Sequence, residues 1–485
     1  MPLRKKMKSG VFWTTIDRFT TQLVQFAVGI VIARIVSPAH FGVLGILLVF
    51  VNLSQVFVES GFGKALIQKN NPTDEDCSTV FYFNLGVSLL LYLILWFAAP
   101  FIGRFYNMPE LVNLMHVVSL VLVLNAFIIV PQALFSIRLD FKSLTIANFI
   151  SAILSGIIGI FMALRGFDIW ALVFQTLSRV FFLALIQLLQ LKWIPLFVFS
   201  KSSFKTLYSY SVNLFASSFI GSLISELNSM VIGKIFKPDQ LGFYSRGTQF
   251  AGLPYSTITS IIYRVLFPAL ASVKEDKEQL VAISKGVIRY ASFISFPLLL
   301  WIAMIAEPMV RVLLTEKWMH AVPIIQIICV ARMISIVAGI SVELLNSVGR
   351  SDLSFRQDLL KMSIRIVFLI AAFKFGIIWI AIAELAATSV HFFINTYYPG
   401  KILKYGAFSQ IRDFFPILIA AFLSSVIGYF SMSFIGNDWI KIIVSILISV
   451  ITYVGFLFGF NQRDFFEMIK NSINAMKGKT HLFIK

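Results

Sequence analysis

The sequence predicts an all-α polytopic membrane protein with about 14 transmembrane helices. Three observations predict this class. Of the 485 residues, 58% are hydrophobic and only 13% are charged, whereas soluble chains carry roughly a quarter charged residues. The hydrophobic residues form long continuous runs, and the basic residues concentrate in the short segments between them.

Each hydrophobic run is long enough to cross a bilayer as a helix, which takes roughly 20 mainly apolar residues. The fourteen runs are 11–34, 41–67, 78–103, 112–137, 142–164, 168–191, 207–235, 241–271, 280–306, 321–346, 353–373, 376–402, 411–434 and 438–460. The seventh and eighth runs are the most polar, with many Ser, Asn, Gly and Tyr residues.

The basic residues predict the orientation of these helices. With the N-terminus on the inner side, 28 of the 41 Lys and Arg residues, Arg365 among them, fall in inner segments. Nine fall in outer segments and four within runs. Because Lys and Arg accumulate on the cytoplasmic side of membrane proteins, both termini are predicted to be cytoplasmic. This topology accounts for the formal net charge of +18, and no nucleic-acid partner is predicted.

One self-match predicts an internal repeat. The segment IARIVSPAHFG, from Ile32 to Gly42, resembles IGKIFKPDQLG, from Ile232 to Gly242, 200 residues later. Six runs separate the copies, which therefore share one orientation, as in parallel repeats that bind substrate between two halves near the bilayer midplane. The alternative, a common tight connector between helices, stays open. The predicted domains are an N-lobe (1–200), a C-lobe (201–405), two additional helices (406–462) and a cytoplasmic tail (463–485).

Polar residues within four of the runs predict a substrate cavity. A charged side chain at mid-membrane costs roughly 2.5–3.5 kcal/mol on insertion scales, so it needs a partner, a wet cavity or a function. The candidate cavity residues on the first, second, seventh and eighth runs are Arg18, Gln22, Gln25, Asn52, Gln55, Glu59, Asn213, Glu226, Asn228, Arg246 and Gln249. Within each of the first two runs they share one helical face. The competing interpretation is structural hydrogen bonding between helices.

Three carboxylates, Asp17, Glu59 and Glu226, are the candidates for ion or proton coupling. Arg18 and Glu59 lie at similar depth, so the sequence permits an ion pair between them, and Glu226 shares a depth with Arg246.

Elsewhere in the runs, Arg332 is the best further candidate for binding an anionic group, because a guanidinium matches phosphate oxygens. His391 is interpreted as a buried, hydrogen-bonded histidine. The chain has no Cys/His spacing typical of a metal site and no Walker A pattern, so neither a metal nor another cofactor nor ATP is predicted. No loop is long enough for a soluble catalytic domain, and the chain is not predicted to be an enzyme.

Two motifs carry a resemblance to a known family. IARIVSPAHFG (32–42) and ESGFGKALIQ (59–68) resemble the paired signatures of the polysaccharide transport branch of the multidrug/oligosaccharidyl-lipid/polysaccharide exporter superfamily, and within it the Wzx-like flippases. The resemblance covers nearly the whole chain. His40 stands where the family usually has an acidic residue, and little consequence is expected.

The resemblance implies a two-lobed transporter in a bacterial cytoplasmic (inner) membrane that alternates between inward-open and outward-open states. It implies undecaprenyl-pyrophosphate-linked oligosaccharide as substrate, of O-antigen, capsule or exopolysaccharide type. The expected partners are this substrate, membrane lipids and a glycan polymerase or ligase complex. Three alternatives stay open, namely a cation-coupled small-molecule antiporter of the same superfamily, a membrane enzyme and a non-transporting scaffold.

Overall fold

A computed structural model describes residues 3–59, 61–69, 72–273 and 275–459, and within these ranges the chain is helical and contains no strand. The α-helices are Leu3–Ile35 (α1), Pro38–Glu59 (α2), Phe62–Gln68 (α3), Asp74–Tyr106 (α4), Leu111–Val118 (α5), Leu120–Ile137 (α6), Phe141–Leu164 (α7), Ile169–Leu191 (α8), Lys201–Ile235 (α9), Pro238–Ser272 (α10), Lys277–Met304 (α11), Ala306–Leu313 (α12), Val322–Ser347 (α13), Ser351–Ala372 (α14), Ile377–Leu403 (α15), Ala407–Ser431 (α16) and Asp438–Gly459 (α17). The predicted cytoplasmic tail lies outside the described residues.

In the described residues, each of the fourteen predicted runs is mainly helical. Eleven helical segments in the described ranges are long and apolar enough to span a membrane, and the chain is a multi-span membrane protein. The other three runs, the seventh, eighth and eleventh, form α9, α10 and α14, which are 35, 35 and 22 residues long. They are more polar than the eleven candidate spans. Two of these polar helices, α9 and α10, carry five of the predicted cavity residues.

Three predicted runs are interrupted. The ninth breaks at Ile305, between α11 and α12. The second breaks between α2 and α3, where Gly61 adopts φ 75°, a left-handed conformation that glycine reaches without steric cost. The fourth breaks at Ser119, between α5 and α6. Sequence hydropathy does not register these breaks, because apolar residues continue on both sides.

Packing divides the chain into two compact units. The first contains residues up to Arg246 with Leu313–Trp318 and Phe373–Ile377. Within it α7 packs against α1 and α8, and α2 packs against α4, α6 and α9. Its buried core includes Phe62, Leu66 and Phe81. The second unit contains 247–312, 319–372 and the chain from Ile378 onward, and there α11 packs against α13 and α16, and α16 against α17.

Candidate functional site

The two copies of the predicted repeat adopt the same local structure and contact each other. In each copy a long helix ends, two residues follow, and a new helix begins at Pro38 or Pro238. A Cβ atom on Gly42 would lie 1.7 Å from the Pro238 carbonyl oxygen, and one on Gly242 would lie 2.0 Å from that of Pro38. Only glycine permits this reciprocal backbone contact. We call the two copies the connectors.

The polar residues of α2 and α9 meet below the connectors. Asn52 follows Pro38 by 14 residues, and Glu226 precedes Pro238 by 12. At a rise of 1.5 Å per residue, they lie roughly 21 and 18 Å from their connectors. Because the connectors touch, the two side chains share a depth, and Asn52 Nδ2 donates a hydrogen bond of 3.0 Å to Glu226 Oε1. The repeat therefore explains how residues 174 positions apart come into contact.

A second polar chain runs from α6 to the C-terminal end of α2. Asn125 Nδ2 donates to Gln55 Oε1 at 2.9 Å, and Gln55 Nε2 donates to Glu59 Oε1 at 3.4 Å. The sequence analysis found Gln55 and Glu59 but missed Asn125. The available signal was the spacing of seven between Asn125 and Gln132, which places both amides on one face of α6.

We call the hydrogen-bonded residues Asn52, Gln55, Glu59, Asn125 and Glu226 the polar seam. An aromatic layer and a cavity lie next to the polar seam, toward the end of α2. The Phe57 ring lies 4.9 Å from that of Phe215 and 5.2 Å from that of Phe219, between centroids. Beside them is a cavity of about 350 Å³ whose lining includes Glu59 and Lys64. Its lining is Val56, Glu59, Gly61, Gly63, Lys64, Ile67, Ile129, Gln132, Ala133, Ser136, Phe215 and Ser222. The cavity thus offers one group of each charge, and hydroxyl and amide groups for a polar ligand.

The charged residues of α1 have separate surroundings. Asp17 accepts hydrogen bonds from Thr21 Oγ1 at 3.3 Å and Asn148 Nδ2 at 3.2 Å. Arg18 is exposed. The Arg18–Glu59 ion pair that the sequence permits is not among the ion pairs of the described residues, because α1 packs mainly against α7. The two remaining polar candidates on α1, Gln22 and Gln25, are half-buried.

Two candidates next to the second connector, near the end of α9 and the start of α10, are buried. Arg246 is 6% exposed. Its Nη2 donates to the Gly29 carbonyl at 3.2 Å, and its guanidinium lies 4.1 Å from the Phe41 ring centroid. Asn228 is buried and donates to the Tyr244 hydroxyl at 2.6 Å. Both residues therefore join elements of the first unit in this conformation. The remaining two candidates differ, since Gln249 is exposed and the side chain of Asn213 lies outside the described part of the structure.

A short segment next to the first connector was not predicted from sequence. Lys317 Nζ donates to the carbonyls of Arg34 and Val36, at 2.8 and 3.0 Å. The buried Trp318 donates from Nε1 to the Ala33 carbonyl at 2.8 Å. The last carbonyls of a helix have no partner within it, so these two side chains satisfy the C-terminal end of α1.

In the second unit, Arg332 forms an ion pair with Glu384. Its Nη2 lies 3.2 Å from Glu384 Oε1, and Arg365 Nη2 lies 3.6 Å from the same oxygen. Glu384 is buried, and the Arg332 guanidinium lies 5.4 Å from the Tyr255 ring centroid. Arg365 lies within α14, beside Glu384. We call Arg332, Glu384 and Arg365 the charged triad.

The interpretation of His391 agrees with the structure. His391 is half-buried, and its Nε2 lies 3.0 Å from the Lys361 carbonyl oxygen. This contact suits a structural histidine that joins α15 to α14.

Together the helical membrane-spanning fold, the paired connectors and the polar seam that ends in a cavity define a transporter-type membrane protein. The chain belongs to the family described as "Polysaccharide biosynthesis protein", whose model matches residues 31–323.

Relatives of similar length support this assignment. The chain is 24% identical to the teichuronic acid biosynthesis protein TuaB of Bacillus subtilis over 89% of this chain and 90% of that one. It is 25% identical to the succinoglycan biosynthesis transport protein ExoT of Rhizobium meliloti over 72% and 71%. It is 26% identical to the lipopolysaccharide biosynthesis protein WzxC of Escherichia coli over 74% of each chain.

Solved structures of the same fold include a lipid II flippase, MurJ, with a TM-score of 0.76 and 16% identity over 94% of this chain and 99% of that one. An inward-facing multidrug transporter of the MATE family matches with a TM-score of 0.61 and 16% identity over 81% and 100%. At these identities the likeness establishes the fold.

Proposed function

We propose that this protein is a flippase that carries oligosaccharide repeat units linked to undecaprenyl pyrophosphate across the bacterial cytoplasmic membrane. The observation that carries the proposal is the polar seam of α2, α6 and α9, which leads from Asn52 and Glu226 to the cavity at Glu59 and Lys64. Such a seam suits a sugar headgroup, and the chain's family, with relatives named for polysaccharide and lipopolysaccharide biosynthesis, supplies the class of substrate.

The substrate enters from the cytoplasmic leaflet. Arg18 is exposed and forms no ion pair with another described residue, so its charge is available to the pyrophosphate, and charge-assisted hydrogen bonds are the stronger ones. The sugars hydrogen-bond to amide side chains along α1 and α2, while the polyprenyl tail stays in the bilayer. The amides are Gln22, Gln25, Asn52 and Gln55.

Translocation requires the connectors to separate. The lobes 1–200 and 201–405 rock against each other, as in transporters built from parallel repeats. The Gly42–Gly242 contact and the Asn52–Glu226 hydrogen bond close one state, and both must open for the headgroup to leave on the outer side. Arg246 is buried next to the connectors in this conformation. It becomes accessible when they separate and assists release of the headgroup.

Coupling to an ion or to the membrane potential drives the cycle. Moving one elementary charge across 100 mV is worth about 2.3 kcal/mol. Asp17, Glu59 and Glu226 are the groups that exchange an ion or proton, and each accepts a hydrogen bond from a side-chain amide in this conformation. In this proposal both termini are cytoplasmic, and the protein works beside the glycan polymerase or ligase. No residue of the chain is assigned a catalytic role.

A cation-coupled antiporter is the second candidate. The fold shared with a multidrug transporter favours it, as do the membrane carboxylates Asp17 and Glu226. An exposed Arg18 disfavours it, because a cationic substrate would be repelled.

The deciding experiment locates the lipid-linked oligosaccharide in cells that lack the gene, using an impermeant reagent added from outside. Oligosaccharide that becomes inaccessible in the deletion strain, and accessible again with the wild-type gene, is the expected result. Unchanged access in a strain without a redundant transporter would overturn the proposal and favour the antiporter.

A further inference from the structure

The second unit carries a cavity of its own between the start of α11 and the end of α15. Its volume is about 560 Å³. Lys277, Lys285 and Lys404 bring three positive charges to it, against the single carboxylate of Glu278, and the rest of its lining includes the aliphatic side chains of Val281 and Leu403. We call this cavity the basic groove. A ligand that fits it must combine negative charge with apolar groups.

One buried carboxylate fixes both walls of the basic groove. Asp413, at the start of α16, is 7% exposed. On the α11 side, Lys285 Nζ lies 3.2 Å and Arg289 Nη2 2.9 Å from its Oδ1. On the other side, the Tyr405 hydroxyl donates to its Oδ2 at 2.9 Å. Tyr405 directly follows Lys404, so the position of that lysine is fixed as well, and the groove exists before any ligand binds.

The positive charge of the groove is only partly neutralised. Lys277 and Lys404 are exposed and form no ion pair with any other described residue. Asp276, next to Lys277, is engaged by its own helix, since its carboxylate accepts hydrogen bonds from the backbone N–H groups of Glu278 and Gln279, both at 3.0 Å. Two lysine ammonium groups thus remain for an anion.

The groove lies at a membrane boundary. It joins the first residues of one candidate span, Lys277–Met304, to the last residues of another, Ile377–Leu403. Lysines at such a boundary lay their aliphatic stems along apolar surface and hold the ammonium at headgroup level. Basic pockets between transmembrane helices on the cytoplasmic side bind anionic lipid headgroups. A soluble anion would leave the aliphatic wall uncovered.

We propose that the basic groove is a binding site for an anionic phospholipid of the cytoplasmic leaflet, with the phosphate between Lys277 and Lys404 and the acyl chains against Val281 and Leu403. This site is additional to the flippase function and does not depend on it. Glu278 faces the same headgroup and weakens binding.

The test is native mass spectrometry of the purified full-length protein with phosphatidylglycerol or phosphatidylethanolamine of identical acyl chains. Wild type is expected to retain phosphatidylglycerol preferentially. Removing both lysines (K277Q/K404Q) should weaken phosphatidylglycerol binding about tenfold or more, since each basic residue near an anionic surface contributes about 1 kcal/mol. K277R/K404R should restore it, and E278Q should strengthen it.

The matched control is K237Q/K374Q, which removes two exposed lysines outside the basic groove. It should leave phosphatidylglycerol binding unchanged. An equal loss in both double variants, a wild type without preference between the two lipids, or weaker binding by E278Q would each overturn the proposal. Displacement of phosphatidylglycerol by a stoichiometric amount of undecaprenyl phosphate would overturn it too, and would assign the groove to the transported lipid. None of these readouts uses glycan export, so a failed flippase proposal would not alter them.

Discussion

Gly42 and Gly242 lie back to back, and a Cβ on either one would overlap the backbone of the other connector, at Pro238 or Pro38 respectively. This contact joins the two repeat copies in the first unit. It aligns α2 with α9 along the rest of their length, so the Asn52–Glu226 hydrogen bond and the Phe57 cluster follow from it. The most specific sequence motif therefore encodes a contact between its own two copies.

Replacing Gly42 by Ala should destabilise this conformation. Ala is favoured over Gly in a helix by about 1 kcal/mol, but overpacking costs about 1–3 kcal/mol. Here the overlapping atom is a backbone carbonyl 1.7 Å away, so the clash outweighs the helix gain. We expect a lower Tm for purified G42A. The matched control is G86A in α4, where a new Cβ meets nothing within 4 Å and the Tm should hold or rise. Equal Tm values for the two variants would contradict the reciprocal contact.

The Asn52–Glu226 hydrogen bond should appear as thermodynamic coupling between α2 and α9. Hydrogen bonds between membrane helices average about 0.6 kcal/mol and reach about 1.7 kcal/mol. We expect N52A and E226A to be non-additive by this amount in unfolding free energy, because either change alone already breaks the bond. Pairing E226A with Q190A, a change on the separate helix α8, should be additive. Additivity in both pairs would show that the 3.0 Å contact contributes nothing.

Much of this arrangement could be predicted from the sequence. The helical fold and the contact between the two repeat copies follow from hydropathy and the 200-residue offset. Depth does not determine which helices are neighbours, however. Arg18 and Glu59 share a depth and do not pair, whereas Asp17 pairs with Asn148 on α7. The charged triad joins three helices at once, and its membership depends on helix order around the unit, which hydropathy does not encode.

The charged triad should be structural. Removing one partner of a buried ion pair costs about 3–5 kcal/mol, because a charge is left uncompensated. E384Q leaves two guanidinium groups facing each other, whereas R332Q leaves Glu384 still paired with Arg365 at 3.6 Å. We therefore expect a larger loss of Tm and of membrane-inserted protein for E384Q than for R332Q. If R332Q instead abolished export at wild-type Tm, Arg332 would be a substrate ligand.

Replacing Arg18 and replacing Arg246 should have different effects on Tm and on export, although both are predicted from the sequence as cavity residues. Arg18 is exposed, so R18A removes a ligand for the pyrophosphate and should abolish glycan export with Tm and protein level unchanged. Arg246 is 6% exposed and lies over Phe41 at 4.1 Å, so R246A removes packing and a cation–π contact that is worth about 2 kcal/mol when desolvated. It should lower the Tm and the protein level, and because Arg246 also assists release, export per protein should be reduced but not abolished. Export normalised to protein in the membrane separates the two. Full export by R18A would remove Arg18 from the mechanism, and a Tm loss in R18A that matched R246A would mean that both arginines are structural.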